Sequence, residues 1–385
     1  MALPAVEVRR EEVLGFRLSG HHLHERLPAE DMLAAATLGL RTSAPGSAIA
    51  SLHARAEGVG PSTVEDRLRS ASFVEVTSVR ISPLIVPVED VAVFTTGAMP
   101  VEEQSLRAIL GAIAGSFDAY GGPEEVVGLA VDAAREVLGG KRLSRGELSA
   151  GMRELLPPEL SPFCRGCDSH HPSESLFRLV GVAGAYCRVP GANRSGDYVA
   201  LQEWIGGPLP DVDPAEAREE LVLRYLRGHG PSTPRDLASW LEVSRGEAER
   251  CLDRLRPELS EITYRGRRTW LASADLPELQ GAEPLGGVRL LPAYDPLLAP
   301  VDRTTLLASE NERKIVFRIL GNPGAVLCDG EIVAAWRGKK KGARLEIEVQ
   351  PLAAWKRRCI GLLEAEAQGL ALVRGCSSAA VSIAG

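Results

Sequence analysis

The chain has 385 residues, 45% hydrophobic and 25% charged, with a formal net charge of −7 and a pI near 5.7. At about 150 residues per domain, this length implies several folding units rather than one core. No apolar run approaches the roughly 18–20 residues of a membrane span, and the start MALPAVEVRREEVL lacks the pattern of a secretory signal, so a cytoplasmic location is expected. The acidic balance excludes global attraction to a polyanion, so any nucleic-acid contact must come from local basic clusters. Seven cysteines, thinly spread, argue against a disulfide framework and for reduced thiols.

In chain order, His21, His22 and His24 lie at a polar helix end, where they are expected to face solvent. Residues 29–38 and 47–56 read as helices, and FVEVTSVRISPLIVP (73–87) as a hairpin. Residues 128–138 form a helix that Gly139-Gly140 stops. Ser144 then caps RGELSAGMRELL, and strands are expected around LFRLVGVAGAYCRV. Residues 219–229 carry apolar side chains at 221, 222, 225 and 226, a helical stripe. Thr233-Pro234 opens a second helix, Ser244 caps a third, and LSEITYRGRRTWLAS supplies two short strands. Helix, helix, helix, hairpin is the winged-helix order, clear here and looser in the two upstream segments. After residue 281 the chain turns β-rich, with a strong hairpin turn at Asp329-Gly330 and a helix from about 352 to 368. The expected fold class is α+β: three tandem winged-helix modules (1–100, 101–208 and 209–280) and a β-barrel-like domain (281–385).

A winged helix binds DNA with its third helix in the major groove and its hairpin on the backbone or minor groove. Arg265, Arg267 and Arg268 at a hairpin tip suit that role. On the third helix, Arg245, Arg250 and Arg254 alternate with Glu247 and Glu249. The same module can also serve as a protein-packing element. Arg337, Lys339, Lys340, Lys341 and Arg344 form a second basic cluster, read as a turn between two strands that could track phosphates. Lysines there would equally guard a sheet edge against pairing.

Cys164-x-x-Cys167-x-x-His170-His171 is the densest set of metal ligands. Two thiolates on a glycine-containing turn can chelate one structural zinc with either histidine as third ligand, and Cys187 is the nearest candidate for a fourth. The plain alternative is a metal-free pair of reduced cysteines. No phosphate loop, nucleophile elbow or dinucleotide fingerprint is present, so no other cofactor is expected.

Taken together, GLRTSAPGSAIASLHAR, VRISPLIVPVEDV, LSRGEL, GPSTPRDLASWL and VRLLPAYDPLL resemble the bacterial tandem winged-helix DNA glycosylases of the AlkZ and YcaQ type, across nearly the whole chain. The resemblance implies a C-shaped body around duplex DNA that excises N-alkylated purines, including crosslinks. Its catalytic motif, Gln-apolar-Gln or Gln-apolar-Asp after a Gly-apolar pair, falls here on Arg41-Thr42-Ser43, after Gly39-Leu40. Arginine cannot accept a proton, and serine without a base activates water poorly. Leu84 stands where the family usually has histidine, whereas Arg80 matches a family arginine. The sequence therefore leads to a protein that binds duplex or damaged DNA without glycosylase activity. The alternative is a glycosylase with altered catalytic residues, and a third reading makes the modules protein-binding scaffolds.

Overall fold

The computed structural model describes residues 6–191, 196–283, 286–299, 301–318, 320–352 and 357–384. The chain divides into two compact units interleaved along the sequence: residues 1–64, 223–236 and 255–385 in the first, 65–222 and 237–254 in the second. No helix among the described residues is long and apolar enough to cross a membrane.

In the first unit, strand Val6–Val8 pairs parallel with Leu259–Tyr264, which turns back antiparallel into Arg267–Ala272. The two-residue turn has Arg265 at φ 52° and Gly266 at φ 67°, the positive pair that matches the twist of its strands. Helix Arg10–Gly20 buries Val13 and Phe16 against Ile262, Tyr264 and Leu271 of this sheet. A second sheet runs in the order Val288–Leu291, Gly324–Cys328, Glu331–Lys341, Arg344–Pro351, Ser378–Ile383. Its first four strands are antiparallel and the last is parallel to its neighbour, after a crossover through helix Arg357–Val373.

That sheet is open, not the barrel expected from the sequence. Both of its faces are already occupied. Val326, Ala334, Trp336, Leu345 and Ile347 face Leu363, Ala367 and Leu370 of the crossover helix. Leu291, Ala325, Leu327 and Ala335 face Leu14, Leu18 and Ala54 from the N-terminal helices, with Leu297 and Leu306. Strand alternation thus delivers apolar side chains to two covers, and closure would bury nothing further. The crossover helix also joins Cys359 to Cys328 in a disulfide, against the expectation of reduced thiols throughout. The two lie 31 residues apart in sequence, and no spacing rule links them until the helix is laid on the sheet. Of the helix expected at 352–368, residues 353–356 lie outside the described residues.

The histidines near the N-terminus turn inward. His21 is 1% exposed, and its Nε2 donates to the Gly228 carbonyl at 3.0 Å. Its ring meets that of the buried His229 edge-on at 5.1 Å. Helix Arg10–Gly20 ends with Gly20 against the Arg227 backbone, which draws His21 into the core. His22 and His24 are partly buried, and burial is the largest cause lowering both. Burial, and then the nearby Arg17, pulls His229 down to about 3.

In the second unit, strands run in the order Ser82–Pro87, Phe73–Ser78, Tyr186–Val189, Asp197–Ala200, all antiparallel. Helices Pro123–Leu138, Arg145–Leu155 and Glu174–Val182 pack a core of Val126, Ala130, Leu148, Met152, Leu176 and Val180. Pro123 opens its helix after two glycines, and Ser144 with Glu147 forms a reciprocal capping box on the next. Of residues 176–189, expected as strands, 176–182 are helix and Tyr186–Val189 is strand. Ser173 accepts from the Leu176 amide as N-cap, and Leu176, Phe177, Leu179 and Val180 recur at helical spacing. Residues 29–36 form a 3₁₀ helix rather than an α-helix, and Thr63–Arg69 adds a short helix the sequence pattern did not suggest.

Candidate functional site

In the first unit, Gly39 adopts φ 75° and directs the chain into the short strand Leu40–Arg41, with Leu40 fully buried. The Ser47 hydroxyl donates to the Arg41 carbonyl at 2.6 Å and to the Ala44 carbonyl at 2.8 Å, fixing the turn before helix Ser47–Arg55. The Arg41 guanidinium lies over the Tyr294 ring, 5.7 Å from its centroid, a cation–π contact. Arg41 and Thr42 are half-buried and Ser43 is exposed.

Immediately after Tyr294, the Asp295 carboxylate is 1% exposed and fully engaged. It accepts from Arg55 Nη1 at 2.8 Å, Arg55 Nη2 at 2.7 Å, Ser51 Oγ at 2.7 Å and the Leu297 amide at 3.0 Å. Two motifs 240 residues apart, SAIASLHAR and LPAYD, are thereby locked together by a buried, bidentate ion pair. Sequence reasoning missed this network. Its signal was available, because Ser51 and Arg55 are four apart and share one face of the helix.

The basic residues occupy different settings. Arg265, Arg267 and Arg268 sit exposed at the hairpin tip. Arg265 donates to the Thr304 carbonyl at 3.3 Å, and Arg268 pairs with Glu261 at 2.6 Å. Arg337, Lys339, Lys340 and Lys341 are not in a turn, as expected, but on the exposed end of strand Glu331–Lys341. The turn is only Gly342-Ala343, because cross-strand pairing continues to Lys341 opposite Arg344. Lys341 pairs with Glu346 at 2.7 Å, while Arg337 and Lys340 donate to the Gly321 and Gly375 carbonyls. In the second unit, Arg80 adopts φ 59° and donates to the Ser239 carbonyl at 3.0 Å. Leu84 is buried in its strand.

Helix Arg245–Arg254 differs from a base-reading helix in its charge. Arg245 pairs with Glu249, Arg250 with Glu102 and Arg254 with Glu219. Glu247 points inward, 1% exposed, and accepts from Ser105 Oγ at 2.6 Å and the Val101 amide at 3.1 Å. Most of this helix's positive charge is thus matched by carboxylates.

The Cys-x-x-Cys segment forms a two-stranded hairpin, Phe163–Cys164 with Ser169–His170. Cys164, Cys167 and His171 bring their ligand atoms within 4.8 Å of one another. His170 and Cys187 are outside this group: His170 Nδ1 faces the Ser161 carbonyl at 3.0 Å, and Cys187 is buried in strand Tyr186–Val189. Hydrogen bonding from the Cys167 amide is the largest cause bringing the Cys164 thiol down to about 7.

The profile of the family described as DNA glycosylase AlkZ-like matches residues 34–373. The chain belongs to the AlkZ-like DNA glycosylase family. A relative named "Interstrand DNA cross-link repair glycosylase", from Streptomyces sahachiroi, is 26% identical over 218 residues. That alignment covers 54% of this chain, and the chain spans 57% of the relative's length. The solved structure of Streptomyces sahachiroi DNA glycosylase AlkZ superposes with a TM-score of 0.78 at 21% identity, covering 98% of this chain and all of that one, a likeness of fold. In this chain, the positions after Gly39-Leu40 hold a guanidinium and two hydroxyls.

Proposed function

We propose that this family member binds duplex or damaged DNA and does not excise N-alkylated purines. One observation carries the reading: the motif segment offers Arg41, Thr42 and Ser43, a fixed cation and two short hydroxyls in place of the paired carboxamide or carboxylate side chains that the resemblance implies would hold the attacking water. Asp295, the carboxylate next to Tyr294, cannot substitute, because Arg55, Ser51 and the Leu297 amide hold both of its oxygens. The winged-helix reading of the helix–helix–helix–hairpin runs supports the DNA partner. So do the exposed arginines at 265–268 and the basic end of strand Glu331–Lys341.

Because basic side chains are presented on a hairpin tip and a strand end, the binding is read as phosphate-directed, with little base specificity. The competing reading, a glycosylase with altered catalytic residues, draws on the family match over residues 34–373. The test is incubation with N7-alkylated duplex DNA, following gel shift, released base and abasic sites together. Binding without base release above the uncatalysed rate is expected. Repeated turnover by the unmodified chain would overturn the reading.

A further inference from the structure

The hairpin Phe163–Cys164/Ser169–His170 contributes two residues per strand, fewer than any isolated hairpin can hold together by its own hydrogen bonds. Its ends are anchored by the buried Leu160, Ser161 and Pro172, while Phe163 and Cys167 stand exposed between them. Something other than a core must fix its tip.

The ligand geometry suggests what does. His170 ends the second strand and His171 follows it, and the two rings turn to different partners. His170 turns to the Ser161 carbonyl and the Phe163 ring, and His171 joins Cys164 and Cys167. The His171 Nδ1 lies 2.7 Å from the Pro172 carbonyl oxygen. A carbonyl only accepts, so Nδ1 carries the proton and Nε2 presents its lone pair. That Nε2 is buried and makes no hydrogen bond. A backbone carbonyl holding one ring nitrogen while the other faces a ligand position is the usual support for a metal-bound imidazole.

We infer that Cys164, Cys167 and His171 hold one zinc ion whose fourth ligand is a water on the exposed side of the hairpin. Two thiolates and one neutral imidazole offset the charge of Zn²⁺, so the half-exposed site needs no further counter-charge, and sulfur with imidazole donors favours zinc over harder cations. The ion staples residues 157–172, between helices Arg145–Leu155 and Glu174–Val182, and so fixes the entry to the latter.

The test is elemental analysis of the full chain, purified under reducing conditions without chelator. About one zinc per chain is expected, falling at least roughly fivefold in Cys164→Ser, Cys167→Ser and His171→Gln, with His170→Gln keeping it. Cobalt added after chelation should give a thiolate-to-metal charge-transfer band in the wild type and lose it in Cys164→Ser. If a ligand variant fails to fold, the wild type treated with chelator supplies the same comparison by metal content and thermal midpoint. The assignment is overturned by a reduced wild-type chain that neither carries nor takes up zinc, or by equal loss in His170→Gln. None of these readouts depends on DNA.

Discussion

Arg55 and Asp295 form a two-pronged ion pair inside the first unit, Nη1 to Oδ2 at 2.8 Å and Nη2 to Oδ1 at 2.7 Å, with side chains 2% and 0% exposed. Ser51 and the Leu297 amide supply the carboxylate's remaining bonds. Removing one member of such a pair strands the other without water, which costs about 3–5 kcal/mol. Asp295→Ala should therefore lose that much stability in urea unfolding, whereas Ser51→Ala, which leaves the pair intact, should lose about 1–2 kcal/mol. Equal small losses in both would mean that the pair is not the lock between the two motifs.

The buried histidines give the chain an acid limit. His229 sits at about 3 and His21 well below the ordinary 6.5, burial being the main cause for both, with Arg17 facing His229 and Arg55 near His21. Each folded-state value is depressed, so each contributes stability that is complete above the unfolded value near 6.5. As pH falls below that point, the unfolded chain takes up protons that the folded chain refuses. Stability should fall by up to about 1.4 kcal/mol per pH unit for each imidazole. Unfolding midpoints at pH 7.5, 6 and 5 check this, with His229→Gln expected to flatten the decline by one imidazole's share. A midpoint unchanged between pH 7.5 and 5 would contradict it.

The sequence made helices and hairpins legible wherever a local signal stood alone. Ser144 with Glu147, Thr233-Pro234, and Asp329-Gly330 each fix a cap or a turn within four residues, and each lies where expected. What it concealed was non-local. LFRLV reads as strand by composition until the Ser173 cap and the core around Leu176 make it helix. Histidines beside Gly20 look solvent-facing until a second helix lies across them. The site was half legible: the motif position at Arg41 and Ser43 follows from GLRTS, but Asp295 and Tyr294 come from far downstream. The choice of His171 over His170 needed the folded hairpin.

The Cys328–Cys359 link closes a loop of 31 residues that contains strands Glu331–Lys341 and Arg344–Pro351. Chain-entropy arguments give such a closure about 3–4 kcal/mol. Thiol counting under denaturing, non-reducing conditions should fall two short of the seven cysteines, and reductant should lower the thermal midpoint. Seven free thiols before reduction would remove the cross-link.

Salt dependence tests the proposed phosphate contacts. Replacing Lys339, Lys340 and Lys341 with Ala should weaken duplex binding and reduce the slope of log K against log salt by up to about three ion equivalents. Lys341 already shares its charge with Glu346, so the observed change should fall below the full value. Arg267→Ala at the hairpin tip should lower the slope by about one. An unchanged titration in the triple variant would take this strand end off the DNA face.

The motif position supplies the last prediction. Excision of an N-alkylated purine builds positive charge on the sugar, and the two family side chains at this position are there to hold water and favour that charge. Arg41 instead brings a fixed positive charge, carried on a side chain held by its contact with Tyr294. At about 7 Å and an effective dielectric near 20, it opposes the developing charge by about 2 kcal/mol, roughly a thirtyfold rate loss before the loss of the two water-holding side chains is considered. Arg41→Gln alone should remove the repulsion but still lack the second water-holding group at Ser43. Arg41→Gln with Ser43→Gln restores both, and should release base from N7-methylguanine duplex at a detectable rate where the unmodified chain does not. Losing the Tyr294 stack is a cost of order 1 kcal/mol, so a folded double variant is expected and its thermal midpoint serves as the control. A folded double variant that binds DNA yet stays inactive would place the block elsewhere than at Arg41 and Ser43.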